Sequence, residues 1–431
     1  MKIQSAKAGI GTGRAGLQAA SGLFSSAGLF QKGVKSFHPN DLDPYLLFDS
    51  ETSMIGTLEN PTLDLDPATP STLDVITATR AGTATYTDPD GLIATASADT
   101  VRVDYVDSVP MILVEPSATN LIPYSEDFSQ SAWSKNNVTL SSGFSAPDGS
   151  MNASKLEANA TDSSLQNTFT VASGTTYSVS FYLKTISGSL ETAIGLGSPG
   201  FPQNEGEGGR YKNITVTDEW QRFTLTSTAD ANAATGISFG GFSSFSTGEE
   251  VYIWGAQLET GIATSYIPTS GSTAQRAKDD LVISGSAFTD FYNQSEGTFY
   301  VESITNRADG QPFILSADNS ADSSENNTIV VYYSDTTTTT GFIKTSGSIQ
   351  AILAIGSRPS AGALSRTSLS YKTNDIEGSV DGGSVASDTS ATIPTTINRL
   401  SIGTRLTLED DYKITGHVKR LIFWPYHSDS L

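Results

Sequence analysis

The chain contains no cysteine. That excludes a disulfide framework, a thiol nucleophile and a thiolate-bound zinc site. Histidine is almost as scarce: His38, His417 and His427 are the whole set, so an active site built on several imidazoles has little to draw on. Charged residues make up only 16% of the sequence, which is low for a protein with many exposed helices. Among them 25 basic side chains face 46 acidic ones, for a net charge of −21. Such a chain repels phosphate backbones, so no nucleic-acid role is expected. No apolar run approaches the ~18–20 residues of a helical membrane span, so no membrane insertion is expected.

What is present is β-forming material. Thr clusters with Val, Ile, Tyr and Phe, the residues that suit a pleated, half-buried surface. The 39 glycines, with many Ser, Asn and Asp, supply turns between short runs. At 431 residues the chain has room for about three units of ~150 residues each. The expected class is all-β: two β-sandwich (jelly-roll) domains in tandem behind an N-terminal anchoring arm, partly helical.

Charge separates that arm from the rest. Lys2, Lys7, Arg14, Lys32 and Lys35 meet no Asp or Glu in residues 1–40, giving the arm +5 and leaving −26 on the remainder of the −21 chain. Leu17, Leu23, Phe24, Leu29 and Phe30 have loose helical spacing among glycines that weaken a free helix by about 1 kcal/mol each. The segment therefore reads as an arm that orders on docking, with those five apolar residues as its buried contacts. Residues 11–16 (GTGRAG) match GxGxxG, but neither a preceding strand nor a βαβ context accompanies them, so they read as flexible arm.

Residues 41–118, punctuated by Pro44, Pro61, Pro67, Pro70 and Pro89, read as a strand-containing connector. Residues 119–277 read as a first sandwich. There Tyr177, Val179, Phe181 and Leu183 alternate with Ser178, Ser180, Tyr182 and Lys184, the period of a strand with one buried face. Residues 220–226 and 251–254 are further strand candidates. Residues 278–431 read as a second sandwich, with runs at 298–302, 328–333, 341–344, 350–355, 367–372, 375–380, 399–403 and 417–424. Asp381-Gly382-Gly383 between two runs is a hairpin signal.

Three stretches carry a family likeness: residues 80–105 (RAGTATY, then RVDY), residues 113–133 (LVEPSATNL, YSEDF, then Trp133) and residues 254–269 (WGAQLETG, then TSYIPT). Together, over roughly residues 80–275, they resemble tailed-bacteriophage virion-surface proteins (fibre, spike or decoration) that carry a carbohydrate-binding-module-like jelly roll. Residues 375–383, 399–403 and 416–423 resemble the closing strands of a laminin-G or concanavalin-like sandwich. The resemblance implies a virion structural protein rather than an enzyme. It would sit on the virion surface, dock on capsid or tail proteins through residues 1–40, meet a host surface glycan, and form a homo-oligomer, with a trimer as the natural state of a fibre or spike. It also implies that a structural Ca²⁺ could be held, with Asp279/Asp280, Asp318 to Asp322 and Asp410/Asp411 as sources.

Sugar binding needs aromatic faces ringed by polar groups. Trp133, after the family-like stretch, Tyr182, opposite the buried face of its strand, and Tyr211, after a Gly-rich loop, are the candidate contacts. Trp220 and Trp254 read as core. Glycoside hydrolysis needs two carboxylates across a cleft. The adjacent pairs Glu126/Asp127, Glu249/Glu250 and Asp410/Asp411 do not supply this, because neighbours on a strand point to opposite faces. His417, in an apolar strand, reads as structural. The alternatives left open are a capsid decoration or cement protein without glycan binding, and a polysaccharide depolymerase.

Overall fold

A computed structural model describes the strands Leu46–Asp49 and Ser53–Thr57 and residues 60–428, apart from 243, 323, 406 and 408. The anchoring residues Leu17, Leu23, Phe24, Leu29 and Phe30 lie outside the described residues. Two compact units are distinguished. The described part of the first is one antiparallel hairpin, Leu46–Asp49 with Ser53–Thr57, irregular between Leu47 and Phe48. The second runs from Thr62 and is nearly all β, as expected.

The second unit holds a jelly roll of two five-stranded antiparallel sheets. One has the order Trp133–Asn136, Ser164–Val171, Ala233–Gly240, Leu190–Leu196, Tyr211–Val216. The other has the order Val138–Phe144, Ala153–Ala158, Glu250–Thr260, Thr176–Lys184, Gln221–Thr228. The alternation read from sequence sets the core: Tyr177, Val179, Phe181 and Leu183 all enter the apolar layer between the sheets, with Leu165, Ile237 and Phe239 from the facing sheet.

The larger sandwich pairs a seven-stranded with an eight-stranded sheet. The seven run Ser348–Ser357, Thr338–Thr345, Thr328–Tyr333, Phe313–Asp318, Arg399–Ile402, Asp280–Ser284, Thr77–Thr79. The eight include Glu296–Thr305 and Gly416–Trp424, and continue through Val109–Val114 to Arg102–Val106, with Leu63–Leu65 also paired to Gly416–Trp424. Leu65, Ile112 and Val114 belong to the same core as Phe299, Leu369 and Phe423.

This corrects the reading of residues 41–118 as a connector. From Leu63 on, that segment supplies strands to both sheets of the larger sandwich. The larger sandwich therefore takes strands from both before and after the jelly roll in the chain. Chain leaves and re-enters at a two-stranded neck, Ala118–Asn120 paired with Ala274–Arg276.

Candidate functional site

The neck is locked by buried charge. Arg80 pairs with Asp279 at 2.8 Å, Arg102 pairs with Glu115 at 2.7 Å and also with Asp279, and Arg276 lies 3.4 Å from Glu115. All five side chains are buried. Ser265 donates to Glu115 through both its N–H and its hydroxyl, each at 2.7 Å. Burial alone would push the Glu115 carboxyl up, but the Arg276 and Arg102 guanidiniums overcome it and hold the group well below the usual carboxylate range. Arg102 also donates to the Thr85 carbonyl at 2.8 Å, which anchors the hairpin Ala84–Thr87/Ile93–Ala96.

That hairpin covers part of the outer face of the second jelly-roll sheet. Ser178, Ser180 and Tyr182 do point away from the main core, yet all three are buried. Tyr182 joins Trp254 and Tyr266 in a satellite cluster, with Ile93 and Trp220 packed against it. A β-bulge lies beside this cluster. Register shifts between Ser180 and Tyr182 against the partner strand, and Gly255 takes φ +62° beside the irregularity. Val251 and Ile253 face the main core, so alternation turns Trp254 outward to Tyr182, ring centroids 5.4 Å apart, and the bulge then returns Ala256 and Leu258 to the core. A Cβ on Gly255 would come within 2.9 Å of the Tyr182 ring.

Beside this cluster opens a cleft of about 600 Å³. Its walls come from three places: the hairpin (Thr85, Tyr86, Ile93), the jelly roll (Tyr182, Trp220, Arg222, Thr224) and the larger sandwich (Asp104, Asn306, His417). Trp220 and Tyr86 are half-buried, and Tyr182 and Tyr266 stand behind them, buried. Arg222 reaches across the Tyr182 ring, 5.6 Å from its centroid, and donates to the Thr264 carbonyl at 2.6 Å and the Ser180 hydroxyl at 2.9 Å. His417 Nε2 lies 2.8 Å from Asp104 Oδ2, and Asp104 Oδ1 accepts the Thr87 N–H at 2.6 Å. Burial raises the Tyr182 hydroxyl, partly opposed by Arg222. Burial also raises Glu259, opposed by Arg222 and by hydrogen bonds from Thr264 and Gln257.

The three sequence candidates do not converge. Trp133 is a correction: it starts a strand, is 1% exposed, packs edge-on to Phe128 at 5.0 Å and donates to the Tyr124 carbonyl at 2.9 Å, so it is core. Tyr182 lines the cleft wall. Tyr211 lies on the edge strand of the other jelly-roll sheet, stacked on Phe242 with centroids 4.6 Å apart. Gly195 permits that stack, because a Cβ there would meet the Phe242 ring at 2.8 Å. Trp220, read from sequence as core, is instead a cleft residue. Its place just before strand Gln221–Thr228 was the available signal, since a Trp flanking a strand has no partner in the alternation.

Four of the acidic residues considered for calcium have other partners. Asp279 sits in the arginine cluster, Asp280 takes Lys413 at 2.6 Å, Asp318 takes Arg399 at 3.0 Å, and Asp410 accepts the Ser117 hydroxyl at 2.5 Å. Among the described residues no three His, Asp or Glu side chains gather as a metal site. A smaller recess of about 170 Å³ on the outer face of the seven-stranded sheet is lined by Phe313, Tyr332, Tyr412 and Arg405. There Arg405 faces Glu325 and Glu409.

No protein-family model and no curated protein sequence matches the chain. Among solved structures, CBM4 is similar over 30% of this chain and 86% of its own, at 16% identity and a TM-score of 0.22. The N-terminal CBM22-1–CBM22-2 tandem of Xyn10C from Paenibacillus barcinonensis covers 73% of this chain and 99% of its own, at 9% identity and a TM-score of 0.27. Domains LG4-5 of the mouse laminin alpha1 chain cover 76% and 93%, at 10% identity and a TM-score of 0.25.

Proposed function

We propose that the chain is a non-enzymatic glycan-binding protein of a phage virion surface, and that the cleft between hairpin, jelly roll and larger sandwich is its sugar site. The observation that carries the glycan reading is the cleft lining. Trp220 and Tyr86 are half-buried aromatics of the lining, and Arg222, Asp104, Asn306 and His417 bring polar side chains to the same walls. A pyranose, apolar on one face and hydroxylated at its rim, fits that combination. The virion setting is supported by the resemblance of residues 80–275 to tailed-phage surface proteins. In that setting residues 1–40 dock on capsid or tail proteins, the body faces the host, and many copies offset a weak single site.

Two features favour binding over hydrolysis. The cleft carboxylates are Asp104 and Glu115. Glu115 is clamped by guanidiniums and held ionised, unsuited to donate a proton to a leaving group. Asp104 is committed to His417 and to the Thr87 N–H.

The test is a glycan array probed with the full chain displayed in multimeric form, alongside Trp220→Ala and a reducing-sugar assay on any bound polysaccharide. Saturable binding lost in Trp220→Ala, with no sugar released, supports the reading. Release of reducing ends would make the chain a depolymerase. Absence of binding by the folded multimer would leave capsid decoration as the better account.

A further inference from the structure

We infer that the cleft selects acidic sugars, with the carboxylate of a uronate or similar residue docking on Arg222 while a neighbouring ring lies on Trp220 or Tyr86. The inference rests on the glycan-binding reading and adds the ligand class. Arg222 carries it. Its guanidinium lines the cleft; among the described residues no carboxylate lies within ion-pair distance of it, and buried Glu259 acts on it only from further off. Its bonds go to neutral oxygens, the Thr264 carbonyl and the Ser180 hydroxyl. A guanidinium has five N–H donors. Those three bonds leave a donor on each terminal nitrogen, enough to hold a carboxylate in the bidentate geometry for which arginine is suited. Arg399, Arg405 and Arg420, by contrast, each already face a carboxylate. In a chain of net charge −21, an arginine at a cleft wall whose hydrogen bonds all go to neutral oxygens is where an anionic ligand is least repelled.

The floor reinforces this. The buried cluster under Glu115 and Ser265, both cleft residues, contains three guanidiniums (Arg80, Arg102, Arg276) against two carboxylates (Glu115, Asp279), an excess of one positive charge. Burial keeps that excess poorly screened by salt. Two acidic groups stand against it. Asp104 is engaged by His417 and by the Thr87 N–H. Glu259 lies buried behind Thr264, where it accepts hydrogen bonds from Gln257 and from the Thr264 N–H and hydroxyl.

The experiment uses a matched pair of ligands: oligogalacturonides, and the same oligomers after carboxyl reduction to neutral galactose residues, titrated into the full chain and backed by an array of acidic and neutral glycans. The expected result is an acidic-to-neutral affinity ratio of roughly ten or more at low salt, since a charge-assisted hydrogen bond contributes about that much. The ratio should fall as salt rises. It should drop toward one in Arg222→Gln, recover partly in Arg222→Lys, and rise in Asp104→Asn, which needs no loss of function to be read. Neutral glycans binding as well as acidic ones in a Trp220-dependent manner would overturn the inference and leave the glycan reading standing. Failure of every glycan to bind would overturn both.

Discussion

His417 and Asp104, 313 residues apart in the chain, meet with Nε2 2.8 Å from Oδ2. The pair joins strand Gly416–Trp424 to strand Arg102–Val106, and Asp104 also fixes the hairpin through the Thr87 N–H. Asp104→Ala should therefore loosen the hairpin as well as release the imidazole. We expect a loss of about 1–2 kcal/mol, measured by urea denaturation. Asp104→Asn, which keeps an acceptor for Thr87, should lose less.

Arg102 bridges Glu115 and Asp279 at the neck with no solvent exposure of its side chain. Arg102→Met would leave both carboxylates short of a partner in the interior. The expected cost is about 3–5 kcal/mol, read from the denaturation midpoint. Replacing the exposed Lys212, paired with Glu207 at 2.8 Å, by Ala should cost under ~1 kcal/mol.

Acid titration should show opposing contributions. The folded pKa of Glu115 lies below its ordinary 4.5, so its contribution is full above about that pH and is lost as the pH falls toward the folded value. Burial first, with Arg399 opposing, raises Asp318 from 3.8 to about 6. Its contribution is the reverse: present below pH 3.8 and lost as the pH rises through about 6. Glu115→Gln should flatten the stability curve below pH 4.5. Asp318→Asn should flatten it between about 4 and 6.

Trp133 and Trp220 should separate stability from binding. Trp133→Ala removes a ring from the main jelly-roll core and should cost about 3–5 kcal/mol. Trp220→Ala, at a half-buried cleft position, should cost less than half as much while abolishing glycan binding. Thermal unfolding and array binding on the same two variants make the comparison.

The class of fold was legible because a strand with one buried face writes its period into the chain. Tyr177, Val179, Phe181 and Leu183 show it, and each occupies the core side. The extended runs near 84 and 102 were visible too, but not their partners. Leu63–Leu65 pairs with a strand more than 350 residues later, and no local pattern names a partner at that distance. That is why residues 41–118 read as a connector, although from Leu63 on they supply strands to a sandwich.

The cleft was the least legible part. The two tryptophans that exchanged roles differ in register and context. Trp133 turns into the core as its strand begins, Trp220 precedes a strand on the opposite sheet, and a bulge at Gly255, just after the outward Trp254, turns Ala256 and Leu258 back to the core. A bulge moves every later side chain to the other face, and periodicity read from sequence assumes there is none.

By itself, then, the sequence determined the acidic, cysteine-free composition, the all-β class and the buried face of its strands, because those depend on residue type and nearest-neighbour alternation. The tertiary structure alone decided that strands before and after the jelly roll share one larger sandwich. It also decided that Arg80, Arg102, Glu115, Arg276 and Asp279 share one buried cluster, and that Trp220, Arg222, Asp104 and His417 border one cleft. Each of those facts is a meeting of segments far apart in the chain, set by which apolar faces cover one another and which buried charges find partners.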